Sequence, residues 1–533
     1  MPLTPERARP IDWAHFDVTD ADIEVATNLL LEREVPLTST EMARAIVDRR
    51  LQARAEAEAL ASADPDARIY FPKDPHAVGD RLIFPALDGA RGTVTGRRPG
   101  INPDLGPFLV VQVRLEGEST PREFAAELED HGLNAVATLP ADEPAEDGVE
   151  AVMQQHSRQI EAALDRRLGA TRDIVRIAGR WFPAALLAEI HQGHLNLAEA
   201  VLDVSAGGPL PTSELLAHVE LPETYDSALA LFSLDFALQQ DERFDEVGPA
   251  GQVLWYLQRL EPTEVLFTPP HLEALSAPED RARFTEELLT LETALDDELS
   301  PLDLPWEAED EVVLPLLFPH WRVGALPLSS RLRGLFPTAY EAPRIRFILV
   351  DGHSGEKFPG WVVRKARYVF GLDAWYRRYE VPAGGLVRVR RGAVPGEVVV
   401  EAVERRRRNE WIRTAVVRPD GSIGFTMLKQ GLGTSYEERM VVGVADIEAL
   451  DAAWLQAQRR REPAERIVQN LFLEQAKLNP QTAVHAEALY SGVNVVGRMS
   501  PGAVFTCLLD ASRYAYVGDL YWRRGDTAES AHD

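Results

Sequence analysis

A pattern of three helices followed by a β-hairpin recurs in this chain, and it constrains the fold more than any other feature. Residues 195–258 contain a helix "NLAEAVLDV", a turn, two further helices and two short strands around a Gly-Pro turn. Residues 464–524 repeat this order. The closing hairpins align at three places: Arg243-Phe244 with Arg513-Tyr514, Val247-Gly248 with Val517-Gly518, and Trp255 with Trp522. We interpret the two segments as divergent copies of one module.

The N-terminal region opens in a similar way. Residues 20–50 have apolar positions at the helical period in two runs, and Thr38 with Glu41 three positions later predicts a capping box at the start of the second helix. A helix, a short turn and a capped helix are typical of a helix-turn-helix. Short β-rich runs separated by Asp-Gly and Pro-Gly turns follow, and they predict a small barrel over 66–138. Residues 139–150, which are acidic and contain proline, predict a linker.

These modules resemble the winged-helix family that includes the HARE-HTH modules and the folded domain of the RNA polymerase delta subunit. The resemblance implies contact with DNA or with the transcription machinery. Groove-reading helices need cationic or amide side chains, but the candidate recognition helices Ser227–Gln240 and Ser500–Asp510 contain no Lys or Arg. We therefore expect the second and third modules to bind a protein such as RNA polymerase. Arg44 and Arg49, on the capped helix of the first module, are candidate DNA contacts.

Charge is distributed very unevenly along the chain, whose formal net charge is −28. Residues 322–413 hold 19 Lys or Arg against 9 Asp or Glu, a net of +10, so the other 441 residues carry −38. Immediately before, residues 285–321 hold 11 acidic residues and no Lys or Arg. A reversal this sharp predicts a domain boundary near 312–320 and an anion-seeking surface after it.

This basic island has the periodicity of a β domain. Strands are predicted at 344–350, 359–363, 386–391 and 397–402, with short helices at 328–335 and 372–379. Such a mixture predicts a pseudobarrel over about 315–410. The motifs are Leu326-Pro327, Leu349-Val350-Asp351, Trp361, the basic "VRKARYVFGLDAWYRRY" and "VPAGGLVRVRR".

Their order resembles the DNA-binding pseudobarrel of plant auxin-response-type factors, which the specificity domains of some restriction enzymes share. Gly384-Gly385 stands where that family has Gly-Asp. The family grips the major groove with two arms, and the resemblance places Arg364, Lys365 and Arg367 in one arm and Arg322 near the other. Guanidinium groups pair bidentately with phosphate or guanine edges. The remaining candidate DNA contacts in the island are Arg377, Arg378, Arg388, Arg390 and Arg391. Trp375, Tyr376 and Tyr379 have helical spacing, which favours core positions over base stacking.

No motif for chemistry was found. The chain has no Walker loop and no His-Glu-x-x-His pair, and its one cysteine, Cys507, excludes a multi-cysteine zinc site. We predict no catalytic residue, cofactor or metal, and hence no enzyme. No run reaches the roughly 20 apolar residues that cross a bilayer, so we expect a cytoplasmic protein without a membrane partner.

The sequence thus predicts a bacterial multidomain α+β protein that binds double-stranded DNA or associates with transcription. Two alternatives remain: an adaptor whose basic island docks on the acidic residues 285–311, and the DNA-recognition component of a defence system. The predicted domains are a helix-turn-helix (1–65), a β-rich barrel (66–138), an acidic linker and helix (139–194), a winged helix (195–260), an acidic helical connector (261–314), the basic pseudobarrel (315–410), a β-rich segment (411–450) and a winged helix (451–525).

Overall fold

The protein is mixed α+β with several sheets, one of which is a curled half-barrel. The computed structural model describes residues 11–63, 67–87, 89–101, 107–118, 120–129, 131–135, 148–171, 173–219, 221–222, 225–302 and 309–525. These fall into two compact units, one within Met1–His191 and Glu220–Ala237 and the other within Gln192–Val219 and Leu238–Asp533. The prediction of an α+β chain is confirmed. Most of the predicted acidic linker, residues 139–147, lies outside the described residues.

Helices and a small sheet form one part of the first unit, and a five-stranded sheet forms another. The sheet runs in the order β2-β3-β4-β5-β6 around a core that includes Val94, Val111 and Val113. The elements in chain order are α1 (Asp20–Arg33), β1 (Leu37–Thr38), α2 (Ser39–Ala63), β2 (Arg68–Ile69), β3 (Arg81–Phe84), β4 (Ala90–Pro99), β5 (Leu109–Leu115), β6 (Arg122–Ala126), α3 (Val149–Gly169), β7 (Ile174–Ile177) and β8 (Arg180–Pro183).

The predicted capping box is confirmed. The Thr38 amide donates to the Glu41 carboxylate at 2.8 Å, and the Glu41 amide donates back to the Thr38 hydroxyl at 3.2 Å. The predicted separation of 1–65 from 139–194 is wrong, because β1 pairs with β8 in a sheet of order β1-β8-β7 and α2 shares a core with α3. The five-stranded sheet is therefore an insertion between the second and third helices of one module.

The next segment continues with α4 (Gln192–Val204), β9 (Leu210–Pro211), α5 (Thr212–Leu216), α6 (Ser227–Gln239), β10 (Phe244–Glu246) and β11 (Leu254–Leu257). Its sheet has the order β10-β11-β9. Most of α6 groups with the first unit and the other elements with the second. Two short helices follow, α7 (Thr263–Leu266) and α8 (Glu286–Leu295).

A seven-stranded sheet with order β12-β17-β18-β14-β15-β16-β13 contains the basic island. Its elements are β12 (Glu311–Pro315), α9 (Phe318–Val323), β13 (Ala325–Pro327), β14 (Arg344–Asp351), β15 (Lys357–Val363), β16 (Tyr368–Phe370), α10 (Asp373–Arg378), β17 (Leu386–Arg391) and β18 (Glu397–Ala402). The sheet begins at Glu311, inside the predicted connector. The predicted helix at 328–335 is only a single 3-10 turn, Leu332–Gly334.

The C-terminal part pairs a long β-ribbon with a helical segment. Its elements are β19 (Glu404–Val417), β20 (Ile423–Thr434), β21 (Gly443–Val444), α11 (Ile447–Arg460), α12 (Ala464–Ala476), β22 (Val484–His485), α13 (Ala486–Val496), α14 (Pro501–Leu508), β23 (Tyr514–Gly518) and β24 (Tyr521–Arg524). The final sheet has the order β22-β24-β23. β19 runs from Glu404 to Val417, so the predicted domain boundary at 410 falls inside a single strand.

One order of elements therefore occurs three times: helix, short strand, two helices and a hairpin whose last strand pairs with the short strand. In each copy a buried tryptophan of the last strand lies opposite an apolar residue of the short strand. The pairs are Trp181 with Leu37, Trp255 with Leu210 and Trp522 with Val484. The other aligned positions agree less well, since Val247 is buried whereas Val517 is 46% exposed.

Candidate anion-binding site

The predicted basic arm forms a tight turn at one end of the seven-stranded sheet. β15 and β16 pair antiparallel, and residues 364–367 join them, with Arg367 in the left-handed region at φ 55°. β13 pairs with the other side of β16, placing Pro327 opposite Tyr368. The chain leaving β13 consequently runs beside the turn, where the Leu328 amide donates to the Arg367 carbonyl at 2.8 Å.

A buried carboxylate shapes the segment after β13. Asp296 accepts hydrogen bonds from the Ser329 hydroxyl and from the backbone amides of Ser330 and Arg331, both at 3.1 Å. Burial raises the pKa of Asp296 although these donors oppose the shift. Where a helix was predicted over 328–335, the segment forms a single 3-10 turn, Leu332–Gly334, and this turn carries Arg333.

These segments line a concave cavity of about 340 Å³ within the second unit. Three guanidinium side chains line it, Arg333, Arg364 and Arg367. The rest of the wall consists of Glu298, Ser300, Pro301, Leu302, Leu328, Ser329, Ser330, Pro337, Thr338 and Val362. Ser300 is 5% exposed, and its hydroxyl has no hydrogen-bond partner among the described residues. The wall thus offers cations and an unused donor.

The cations of the turn are held in different ways. Arg364 is half-buried and anchored, because its guanidinium donates to the Ala342 carbonyl at 2.8 Å. Lys365 and Arg367 are exposed, and neither they nor Arg333 make a side-chain hydrogen bond or ion pair within the described part of the chain. The turn therefore presents positive charge that no described carboxylate neutralises.

One acidic residue, Glu298, also lines the cavity, but Arg498 and His320 contact its carboxylate and compensate its negative charge. The Arg498 guanidinium lies 2.7 Å from the Glu298 carboxylate, and His320 Nε2 lies 3.2 Å from the same oxygen. Burial opposes ionisation of Glu298, yet Arg498 and His320 outweigh it and hold its pKa well below the usual range. The field inside the cavity is accordingly set by the three arginines.

Most of the predicted DNA contacts are neutralised, however. Six of them form ion pairs with carboxylates: Arg44 with Glu150, Arg322 with Asp451, Arg377 with Asp373, Arg378 with Glu356, Arg388 with Glu311 and Glu401, and Arg391 with Asp310. Arg49 also has an interaction partner. Arg322 is tied to Asp451 at the start of α11, which leaves no second arm beside the first. The tertiary structure thus pairs most of the predicted DNA-contacting arginines with carboxylates and does not gather them on one free surface.

Four of the predicted DNA-contacting residues form no ion pair with a described carboxylate. Arg364 is bound only to carbonyls, and Lys365, Arg367 and Arg390 have no side-chain partner among the described residues. Arg390 and Arg388 share one face of β17, whose other face carries the buried Val387 and Val389. Of these four, only the residues of the turn lie beside another cation without a described carboxylate partner, Arg333.

Three members of the site were missed by sequence reasoning: Arg333, Ser300 and Ser330. Arg333 follows a Leu-Pro strand end in "LPLSSRLRG", and the hydroxyls and arginine there were a usable signal. Ser300 lies in the acidic run, where nothing in the sequence marks it. Of the three aromatic residues expected at core positions, Trp375 and Tyr376 are each 3% exposed, whereas Tyr379 is half-buried.

Among the described residues, no group of three or more His, Cys, Asp or Glu side chains is arranged to hold a metal ion. No helix in the described ranges is long and apolar enough to cross a membrane. None of the protein-family models, curated proteins or solved structures compared with the chain matches it. The function is therefore argued from the geometry of the site.

Proposed function

We propose that this chain is a non-enzymatic, transcription-associated protein that binds duplex DNA through the turn 364–367 and Arg333. The observation that carries the proposal is the convergence of Arg333, Arg364 and Arg367 on one cavity, with Lys365 in the same turn. Unpaired guanidinium and ammonium groups gathered at one edge attract phosphate and release its counterions. Five other predicted arginines of the island are instead paired with carboxylates: Arg322, Arg377, Arg378, Arg388 and Arg391.

The repeated helical segments support the same class of function. Their order, helix, strand, two helices and a hairpin, resembles the winged-helix arrangement, and the seven-stranded sheet with its basic turn is consistent with a pseudobarrel that grips DNA from one edge. The third helices α6 and α14 contain no Lys or Arg. These two modules are accordingly proposed to bind a protein such as RNA polymerase.

The test is binding of a short fluorescent duplex to the full chain as salt is varied. With four cations engaged, affinity is expected to fall on the order of 10²-fold between about 50 and 200 mM salt. Replacing Arg364, Lys365 and Arg367 together by Gln should abolish most of the binding. The matched control is Arg377→Gln with Arg378→Gln, two cations already paired with carboxylates, which should have little effect. Equal losses in both variants, or no binding at about 50 mM salt, would contradict the proposal.

A second candidate is the adaptor, because carboxylates of the acidic segment do contact the basic island within one chain. Arg331 lies 2.8 Å from Glu309, and Arg388 lies 3.0 Å from Glu311. An acidic protein partner would then compete for the same arginines. The duplex assay separates the two: binding that appears only after Glu309→Gln with Glu311→Gln indicates that the acidic segment occupies the island and favours the adaptor.

A further inference from the structure

The cavity beside the basic turn has features that a surface for gripping DNA backbone does not need. An internal phosphodiester continues into the strand on both sides and therefore sits on open surfaces. The three arginines here line a concave wall that also includes Ser300 and Ser330. A concave, partly polar site of about 340 Å³ has the dimensions of a small-ligand pocket.

We propose that this cavity binds a phosphomonoester, either the terminal phosphate of a nucleic-acid strand or a free mononucleotide. A surface that grips backbone requires no such cavity, so this site goes beyond the proposed function. The chemistry common to both sources is a dianionic phosphate attached at one oxygen to a nucleoside.

Charge is the first argument for this ligand. Arg333, Arg364 and Arg367 supply three guanidinium groups, which pair well with the oxygens of a phosphate. The only carboxylate in the described wall, Glu298, is already held by Arg498. A phosphate monoester with up to two negative charges matches this excess of positive charge better than a phosphodiester with one.

Unused hydrogen-bonding capacity is the second argument. Ser300 is buried, and its hydroxyl has no partner among the described residues, which costs free energy unless a ligand or water fills the cavity. The Ser330 hydroxyl likewise makes no hydrogen bond within the described ranges, although the Ser330 amide is bound by Asp296. Both serines line the cavity with the arginines, and a hydroxyl that turns towards the cavity can donate to a phosphate oxygen.

Preorganisation is the third argument. Arg364 is fixed by the carbonyls of Ala342 and Tyr340, and the segment that bears Ser330 and Arg333 is fixed by Asp296. A site whose side chains are already positioned loses less entropy when its ligand binds. The Arg364 guanidinium and the backbone of this segment are therefore in place before any ligand enters, whereas the exposed side chains of Arg333 and Arg367 have no described partner.

The experiment compares two duplexes of identical sequence, one with 5′-phosphate and one with 5′-hydroxyl ends, and adds adenosine 5′-monophosphate as a competitor, all with the full chain. The phosphorylated duplex is expected to bind about tenfold more tightly. Ser300→Ala with Ser330→Ala should remove this advantage while leaving binding of the hydroxyl-ended duplex unchanged. Arg408→Gln, an exposed arginine on the β-ribbon, is the control and should change neither.

The outcomes separate this inference from the proposed function. Competition by the free mononucleotide identifies a soluble ligand, and an advantage confined to the phosphorylated duplex identifies a strand end. Equal binding of the two duplexes, together with no binding of adenosine 5′-monophosphate, overturns the phosphomonoester site but leaves the proposed function standing. Binding of the mononucleotide without binding of any duplex overturns the proposed function alone.

Discussion

Two arginine clusters meet at Glu298 in the second unit, and they have opposite characters. Arg498 is fully buried, its Nη2 lies 2.6 Å from Asp297 and 2.7 Å from Glu298, and its Nη1 donates to the Asn494 side-chain oxygen and the Met499 carbonyl. The turn arginine Arg367 is exposed and has no described side-chain partner. Burial together with carboxylates makes an arginine structural, whereas a free guanidinium at a cavity remains available to a ligand.

In the buried cluster, the positive charge of Arg498 is balanced by the carboxylates of Asp297 and Glu298. Burial opposes ionisation, but Asp297 and Glu298 hold the pKa of Arg498 well above its usual range. Burial also raises the pKa of Asp297, against the pull of Arg498, and the Tyr490 hydroxyl donates to the same carboxylate. This network joins the acidic segment to α13.

The largest effect is expected from breaking the buried cluster. Arg498→Ala leaves two buried carboxylates without their cation and should lower the free energy of unfolding by about 3–5 kcal/mol. Chemical denaturation of the full chain, followed by tryptophan fluorescence, measures this change. Arg367→Ala is the matched control and should stay within about 0.5 kcal/mol. Similar losses in the two variants would remove the distinction between the clusters.

An intermediate effect is expected where one arginine serves two carboxylates. Arg344 lies 2.6 Å from Asp245 and 3.1 Å from Glu261. Proximity to Arg344 favours an ionised Glu261, but burial and the nearby Asp245 carboxylate dominate and raise the pKa of Glu261 to about 9. The folded protein therefore keeps a proton on Glu261 that the unfolded chain loses near its ordinary pKa of 4.5.

Because the folded pKa is the higher one, this contribution to stability is complete below about pH 4.5 and is lost as pH rises towards 9. Glu261→Gln should remove a slope of at most about 1.4 kcal/mol per pH unit in that window. Denaturation curves of both proteins at several pH values measure the difference. Parallel pH profiles for the two proteins would show that Glu261 is ionised in the folded state.

The smallest effect is expected where a buried polar pair carries no charge. The Trp255 indole donates to the Thr212 hydroxyl at 3.1 Å in the second repeated segment, as Trp181 does to Ser39 at 3.0 Å in the first. Thr212→Val should cost about 1–2 kcal/mol by leaving the indole donor unpaired. Thr212→Ser keeps the hydroxyl and should cost clearly less. Equal costs would assign the effect to packing of the methyl group instead.

Local features of the fold were predictable from the sequence. The strands at 386–391 and 397–402 have the predicted bounds, and the Thr38–Glu41 capping box is present, because each depends on neighbours within a few residues. The pairing of β1 with β8 was not predictable, since the five-stranded sheet separates them in the chain. The same holds for Ser300 and Arg333, which lie far apart in sequence and meet only at the cavity.

The amino-acid sequence alone determined local elements such as the strands 386–391 and 397–402, and that arginine gathers in one stretch of an acidic chain. The tertiary structure decided which arginines are free. An ion pair such as Arg322 with Asp451 joins residues more than a hundred positions apart, so no pattern within the basic island reveals it. Charge counted along a chain is a sum over neighbours in sequence, whereas a ligand responds to the charges left uncompensated in space.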